Sequence, residues 1–299
     1  MENSMDQEKK VSYFDQISMI MYGLGDSRDR NPETVRLVES IVLKQLQAIV
    51  EEALKYSDGV TLNGENLVFL LRHNKTKMQR FVRYIFNKIS AKKLRAQSNL
   101  DSDVIESNCD VPPKNNLLDF IERIDETGEF TDLSAVDDVK KDREIRAAFI
   151  SKELDDKAYL DFQKARCASF KEVGSGFKNL KLWVHPKETI KFTLDALDVL
   201  SYFAYQTVAE IVDYALLIRG DIRTGNDPLK ITPGSYYTST MFNGSHRDDK
   251  NADSSHIYSN QPPITVSEIL EVMRRVHNPQ TGKLNFGGKV PETHFLFAL

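Results

Sequence analysis

Six histidines (His73, His185, His246, His256, His277 and His294) and two cysteines (Cys109 and Cys167) are the side chains best suited to metal or nucleophilic chemistry. Their spacing supports neither. A zinc centre needs donors gathered by a motif such as HExxH or paired CxxC, and no such spacing occurs. The cysteines lie far apart in unrelated contexts, which fits a reducing compartment better than a disulfide or zinc framework. The SGFK at Ser175 and the TGK at Thr281 are fragments of phosphate-loop text with no preceding strand and no complete glycine-rich loop, so both read as turns. LNFGGK at Leu284 has no nucleotide-loop context either. Carboxylates are plentiful, but they fall in solvated runs rather than in apolar pockets that would tune them. The expectation is therefore no catalytic residue, no metal site and no cofactor.

One basic run offers a different chemistry. Lys75, Lys77, Arg80, Arg83, Lys88, Lys92, Lys93 and Arg95 gather on adjoining faces of a helix and could meet nucleic-acid phosphate or an acidic subunit. The alternative is a solvated helix that turns Met78, Phe81, Val82 and Ile85 inward. The chain as a whole is acidic, with a net charge of -4 and a pI near 5.9, so bulk attraction to nucleic acid is excluded and any DNA contact must be local. A polar N-terminus and the absence of a long apolar run give no targeting or membrane-spanning signal, and the expected compartment is cytosolic or nuclear.

The elements that carry these residues can be read from periodicity. Asn31 is placed to cap a helix, Pro32 suits its first turn, and Glu33 favours its positive end. Val35, Val38, Ile41, Val42, Leu46, Ile49, Val50, Ala53 and Leu54 follow at three- and four-residue steps. A helix running to about Ser57 is roughly 39 Å long, too long to be covered by the short helices beside it. Upstream, Phe14, Ile17, Ile20 and Met21 form a short helix. Downstream, Val60, Thr61 and Leu62 suit an extended segment, and Leu67, Val68, Leu70 and Leu71 line a second short helix. Short helix, long helix, extended residues and short helix form half of a histone-fold core, which must pair to cover its apolar stripe.

A second copy of this grammar follows an interrupted middle. Leu194, Leu197, Leu200, Phe203, Ala204, Val208, Ile211, Val212, Ala215 and Leu216 mark another long helix, ending near Gly220. Ile264, Thr265 and Val266 mirror the extended segment, and Thr265 with Glu268 forms a capping box for a helix carrying Ile269, Leu270, Met273 and Val276. Tyr159 to Trp183 supplies an added helix and then the first short helix. The predicted organisation is a disordered tail over 1–12, a first histone fold with a helical extension over 13–97, an acidic linker over 98–155, and a second histone fold over 156–299. The last contains a Gly-, Ser- and Asn-rich insertion, expected to be disordered, over 220–263. Within the linker, Leu117, Leu118, Phe120, Ile121 and Ile124 form an amphipathic patch that suits either docking or a transient helix.

MYGLGDSRDRNPETVRLVESIV and ENLVFLLRHNKTKMQR resemble the N-terminal histone fold of the Spt-three family (suppressor of Ty three), a segment shared with TBP-associated factor thirteen. FQKARCASFKEVGSGFKNLKLWV, LDALDVLSYFAYQTVAEIVDYALLIR and LNFGGK resemble that family's second half, itself similar to TBP-associated factor eleven. The resemblance implies an all-α chain in which two histone folds form an intramolecular pair, its seam formed by Val38, Val42, Leu46, Ile49 and Ala53 against Leu197, Leu200, Ala204, Val208 and Ile211. It further implies a nuclear, non-enzymatic subunit of a SAGA-type coactivator that delivers TBP to RNA polymerase II promoters and meets DNA only indirectly. Its other partners would be further histone-fold and scaffold subunits. The alternative is a histone-like DNA-binding protein. One departure stands out: histone folds usually pair an arginine in the loop before the third helix with an aspartate in that helix, whereas here the aspartate position is Asn66 and 57–62 hold no arginine, which predicts a looser first module. Glu210 and Asp213 share a helical face away from Ile211 and Ala215, and so are expected to face solvent and to contact the basic surface of TBP. Tyr202, Phe203 and Tyr205 suit either the core or an exposed anchor.

Overall fold

A computed structural model describes residues 11–98, 115–134, 136–172, 176–185, 189–224, 262–277 and 295–299. The expected insertion over 220–263 and the tail over 1–12 lie largely outside these residues, as do Cys109, His246, His256, His294, TGK and LNFGGK; of SGFK only Ser175 is outside, and Gly176 at φ 65° leads into the helix Lys178–Val184. Regular structure is almost entirely helical: α1 (Phe14–Leu24), α2 (Pro32–Leu54), α3 (Gly64–Leu70), α4 (Lys75–Ser98), α5 (Asn116–Ile124), α6 (Asp138–Glu153), α7 (Asp156–Arg166), α8 (Lys178–Val184), α9 (Leu194–Thr224) and α10 (Val266–His277). Two short strands, β1 (Thr61–Leu62) and β2 (Lys191–Phe192), pair in parallel with Thr61 opposite Lys191.

Helix α1 ends where Gly25 adopts φ 113°, so that the Asp26 amide bonds back to Met21 at 3.0 Å. A side chain there would be strained, since only glycine takes this conformation without penalty. Gly23 serves a different purpose. A Cβ on it would lie 2.8 Å from the backbone of Ala165, so its absence lets α1 and α7 pack closely. Tyr22 and Phe162 meet edge to face at 5.3 Å across this contact, with Ala147, Ile150 and Ala165 around them. At the other end of α1, Tyr13 packs on Trp183 at 4.9 Å and on Phe170 at 5.3 Å.

Asn31 accepts from the Glu33 amide at 2.9 Å and starts α2. The helix stops at Leu54, three residues before the expected end, because Lys55, Tyr56 and Ser57 turn back onto the carbonyls of Glu52, Ala53 and Leu54. Helix α9 continues past the expected stop at Gly220. It packs against α1, α2, α3, α8 and α10, and from Val199 to Ala215 every residue but Tyr205 is buried. A helix enclosed on all sides is apolar all round, apart from groups that find partners.

The expected acidic linker contains two packed helices. Helix α5 buries Leu117, Leu118 and Ile121 against α3, which decides the amphipathic patch in favour of docking. Helix α6 buries only Ala147 and Ile150, so its apolar contribution to holding it in place is small.

All of this makes α9 the least tolerant element. Leu200 has no exposed surface, and Leu200→Asp places an unpaired charge in the centre of the core. The expected outcome is loss of the cooperative thermal transition in circular dichroism, while Ile49→Ala keeps the transition and lowers stability by about 2–5 kcal/mol.

Candidate functional site

No cluster of reactive side chains forms the most organised region of the molecule; a double seam between its two halves does. Val38, Val42, Leu46, Ile49 and Ala53 of α2 and Leu197, Leu200, Ala204, Val208 and Ile211 of α9 are all buried in one continuous core. At one end of the seam β1 meets β2, where Lys191 N–H donates to Val60 at 2.8 Å and Thr193 N–H to Leu62 at 3.1 Å. At the other end the loop after α1 meets the segment before α10. There the Asp26 carboxylate accepts from Ile264 N–H at 2.8 Å and the Thr34 hydroxyl donates to the Ile264 carbonyl at 2.8 Å. Each half thus holds the other at both ends. Burial pushes the Asp26 carboxyl up, against the pull of its Ile264 and Ser27 N–H donors.

The segment before α10, expected to be extended, forms no strand; Ile264 is tied by these two side-chain bonds instead. Thr265 and Glu268 do form the capping box, with the Thr265 amide donating to Glu268 at 2.8 Å and the Glu268 amide to Thr265 Oγ1 at 3.3 Å. Arg219 adds a bidentate pair to Glu268 at 2.7 and 2.8 Å and reaches the carbonyl of Pro262 at 2.8 Å, tying α9 to α10. The first module, expected to be looser for want of an arginine–aspartate pair, is tied here by neutral bonds. The Asn66 amide donates to the Tyr56 carbonyl at 2.7 Å and its oxygen accepts from Asn63 N–H at 3.0 Å. Arg72 covers this corner from above, 3.9 Å from the Phe69 ring centre.

The expectation that Glu210 and Asp213 face solvent is overturned. They are 7% and 6% exposed. Glu210 pairs with Lys77 of α4 at 3.2 Å. Asp213 accepts from Arg143 of α6 at 2.7 Å and from Arg146. Arg143 also donates to Gln206 at 3.3 Å. Gln206, Glu210 and Asp213 form a polar stripe on α9, and α4 and α6 cover it. The periodicity was sound, but it could not reveal that a segment expected to be linker folds over that face. Tyr202 and Phe203 are likewise buried, and Tyr202 packs on Phe81 at 5.1 Å and on Tyr84 at 4.7 Å.

The basic run is neither free for phosphate nor simply solvated. Lys75 pairs with Glu129 at 3.2 Å, Arg80 forms a bidentate pair with Asp137 at 2.6 and 2.9 Å, Arg83 donates to the Leu133 carbonyl at 2.9 Å, and Lys88 pairs with Asp198. Glu129, Leu133 and Asp137 are therefore tied to α4 by two ion pairs and a hydrogen bond. Lys92 and Lys93 stay exposed, and the side chain of Arg95 lies outside what is described. Burial alone would raise the Asp137 carboxyl, but the hydrogen bonds and charge of Arg80 outweigh it and hold it below the ordinary range.

Among the described residues, no group of three His, Cys, Asp or Glu side chains is arranged to hold a metal ion, and no helix is long and apolar enough to cross a membrane. Two open clefts of about 360 Å³ are lined largely by charged and hydroxyl side chains, Arg83, Asp137 and Lys140 in one and Lys88, Ser169 and Asp198 in the other. Sequence reasoning missed Thr34 and Gln45, which are buried polar residues within the apolar stripe of α2. The break in the pattern was the available signal.

Residues 11–100 match the family model for the 18 kDa subunit of transcription initiation factor IID. Over 284 residues, covering 92% of this chain and 70% of the relative, the chain is 25% identical to a Drosophila melanogaster protein named SAGA complex subunit Spt3. It is also 24% identical over 285 residues to the Schizosaccharomyces pombe protein of the same name, covering 88% of this chain and 89% of that one.

Two outcomes follow from the charge network. Asp213→Ala leaves two guanidinium groups largely buried without their carboxylate, so it should cost about 3–5 kcal/mol in denaturant unfolding. The second concerns pH. A carboxyl held low in the folded state stabilises above its unfolded value of about 3.9, and that contribution is lost as pH falls through the lower folded value. Arg80→Met removes the main partner that holds Asp137 low. The stability gap between wild type and Arg80→Met is therefore expected to hold from pH 7 to about pH 4 and to narrow as pH falls below that through the lower folded value, as measured by urea unfolding at each pH.

Proposed function

We propose that this protein is a non-enzymatic subunit of a SAGA-type transcription coactivator in the nucleus, a reading supported along nearly the whole chain by the two relatives named SAGA complex subunit Spt3 and over residues 11–100 by the family-model match. Its two halves act as an intramolecular histone-fold pair, and it binds TBP and helps deliver it to promoters. The observation that carries this reading is the reciprocal loop contact. The β1–β2 bridge at one end of α2 and the Asp26–Ile264–Thr34 bonds at the other join the first half of the chain to the second, and α2 packs on α9 between them. Such a pair closes its own seam and leaves its outer surface for other subunits, which fits a scaffold.

The DNA-binding alternative loses the cations it would need. Lys75, Lys77, Arg80, Arg83 and Lys88 are engaged within the chain, whereas a phosphate-binding surface requires several free cations and shows a steep salt dependence. A TBP contact through Glu210 and Asp213 is not retained in this proposal, because their charges are spent on Lys77, Arg143 and Arg146. Charge reversal at those positions disrupts folding before it reports on binding.

Affinity purification of the tagged chain from nuclear extract, followed by mass spectrometry, tests the proposal. The expected result is co-purification of SAGA-type scaffold subunits and TBP that survives nuclease treatment. Recovery of DNA alone, with binding that falls steeply as salt rises, would support the histone-like alternative instead.

A further inference from the structure

Residues 295–299 fill a cleft between α2, α4 and α9, with Phe297 and Ala298 buried at 0% and 2% exposure. The walls of this cleft contain polar groups where the pattern calls for apolar ones. Gln45, 7% exposed on the apolar face of α2, uses both ends of its amide on the segment's main chain. It donates to the Phe295 carbonyl at 3.0 Å and accepts from Phe297 N–H at 3.1 Å. Lys77 Nζ donates to the backbone oxygens of Phe297 at 2.5 Å and Leu299 at 2.9 Å, with Glu210 as its third acceptor at 3.3 Å. Burial pushes the Lys77 ammonium down in pKa while Glu210 opposes the shift.

A buried amide and a buried ammonium are costly unless their hydrogen bonds are made. A core that needed only volume would place apolar residues at both positions. Here both groups read main chain, so sequence enters through apolar packing: the buried Phe297 ring, whose centre lies 6.1 Å from that of Tyr214, the small buried Ala298, and the partly buried Phe295, Leu296 and Leu299. Main-chain hydrogen bonds for affinity and a side-chain pocket for selectivity are the working parts of a peptide-binding groove. We propose that this cleft is a short-peptide docking site whose ligand is the chain's own segment 295–299, held in cis, and that it accepts the same aromatic–small–aliphatic segment supplied in trans.

The test uses the full chain and a fluorescein-labelled Phe-Leu-Phe-Ala-Leu peptide in fluorescence anisotropy. In wild type the tethered segment competes at high effective concentration, so the peptide is expected not to bind. Phe297→Ala and Ala298→Asp each weaken the tethered segment without altering the walls, and both are expected to bind the peptide. Adding Gln45→Met to Phe297→Ala removes two main-chain bonds and is expected to weaken the peptide about tenfold or more. If either tail variant melts early, saturating peptide should raise its Tm. Equal binding by wild type and the tail variants, no binding by the variants, or no rise in Tm for a destabilised variant would each overturn the assignment.

Discussion

The enclosure of α9 is the constraint from which much of the rest follows. A helix of 31 residues that is surrounded by other elements must satisfy every polar group it carries inward, and α9 carries Gln206, Glu210 and Asp213 on one buried stripe. A buried carboxylate without a partner is strongly destabilising, because Coulomb attraction has to offset its lost hydration. The cations that meet this need come from α4 and α6, elements outside both helix–loop–helix units: Lys77 for Glu210, and Arg143 and Arg146 for Asp213. Helix α6, which buries only Ala147 and Ile150, is thus held on α9 by electrostatics more than by apolar burial, whereas α4 and α5 also add apolar residues to the core.

That division of labour explains how the two halves and the connecting segment differ. Apolar stripes on α2 and α9, with the bonds at both ends of the seam, join the halves. Charge joins residues 129–134 and 136–153 of the connecting segment to them, through Arg80–Asp137 and Lys75–Glu129 as well as through the α6 arginines, while α5 docks on α3 by apolar burial. The apolar stripes resist salt and acid, while the Asp26 carboxylate at one end of the seam responds to acid and the partly exposed ion pairs are sensitive to both. Resistance of the seam to salt is what a scaffold needs if it is to persist while its surroundings change.

The two long helices were legible in the sequence because an apolar stripe at three- and four-residue steps leaves little ambiguity, and Asn31–Pro32 and Thr265–Glu268 mark the starts of α2 and α10 by their chemistry. The covering of the 206–213 face of α9 was not. Periodicity assigns residues to faces but does not say which faces are covered, and α6 has almost no apolar pattern of its own, burying only Ala147 and Ile150. Its arginines pair with residues far along the chain, as Arg146 does with Asp213, and nothing local in the sequence signals such a pair. The basic run on α4 was ambiguous from sequence for the same reason, because its acidic partners at Glu129 and Asp137 sat in a stretch that read as linker.

The central claim is that α2 and α9, from opposite halves of the chain, belong to one cooperative core. Native-state hydrogen exchange measures this directly, because amides protected by the same opening exchange with the same free energy. The account predicts that the slowest amides of α2, around Val42 to Ile49, and of α9, around Val208 to Val212, report one shared opening energy near the global stability, lowered equally in both by Ile49→Ala. Two distinct opening energies, with Ile49→Ala affecting α2 alone, would contradict it.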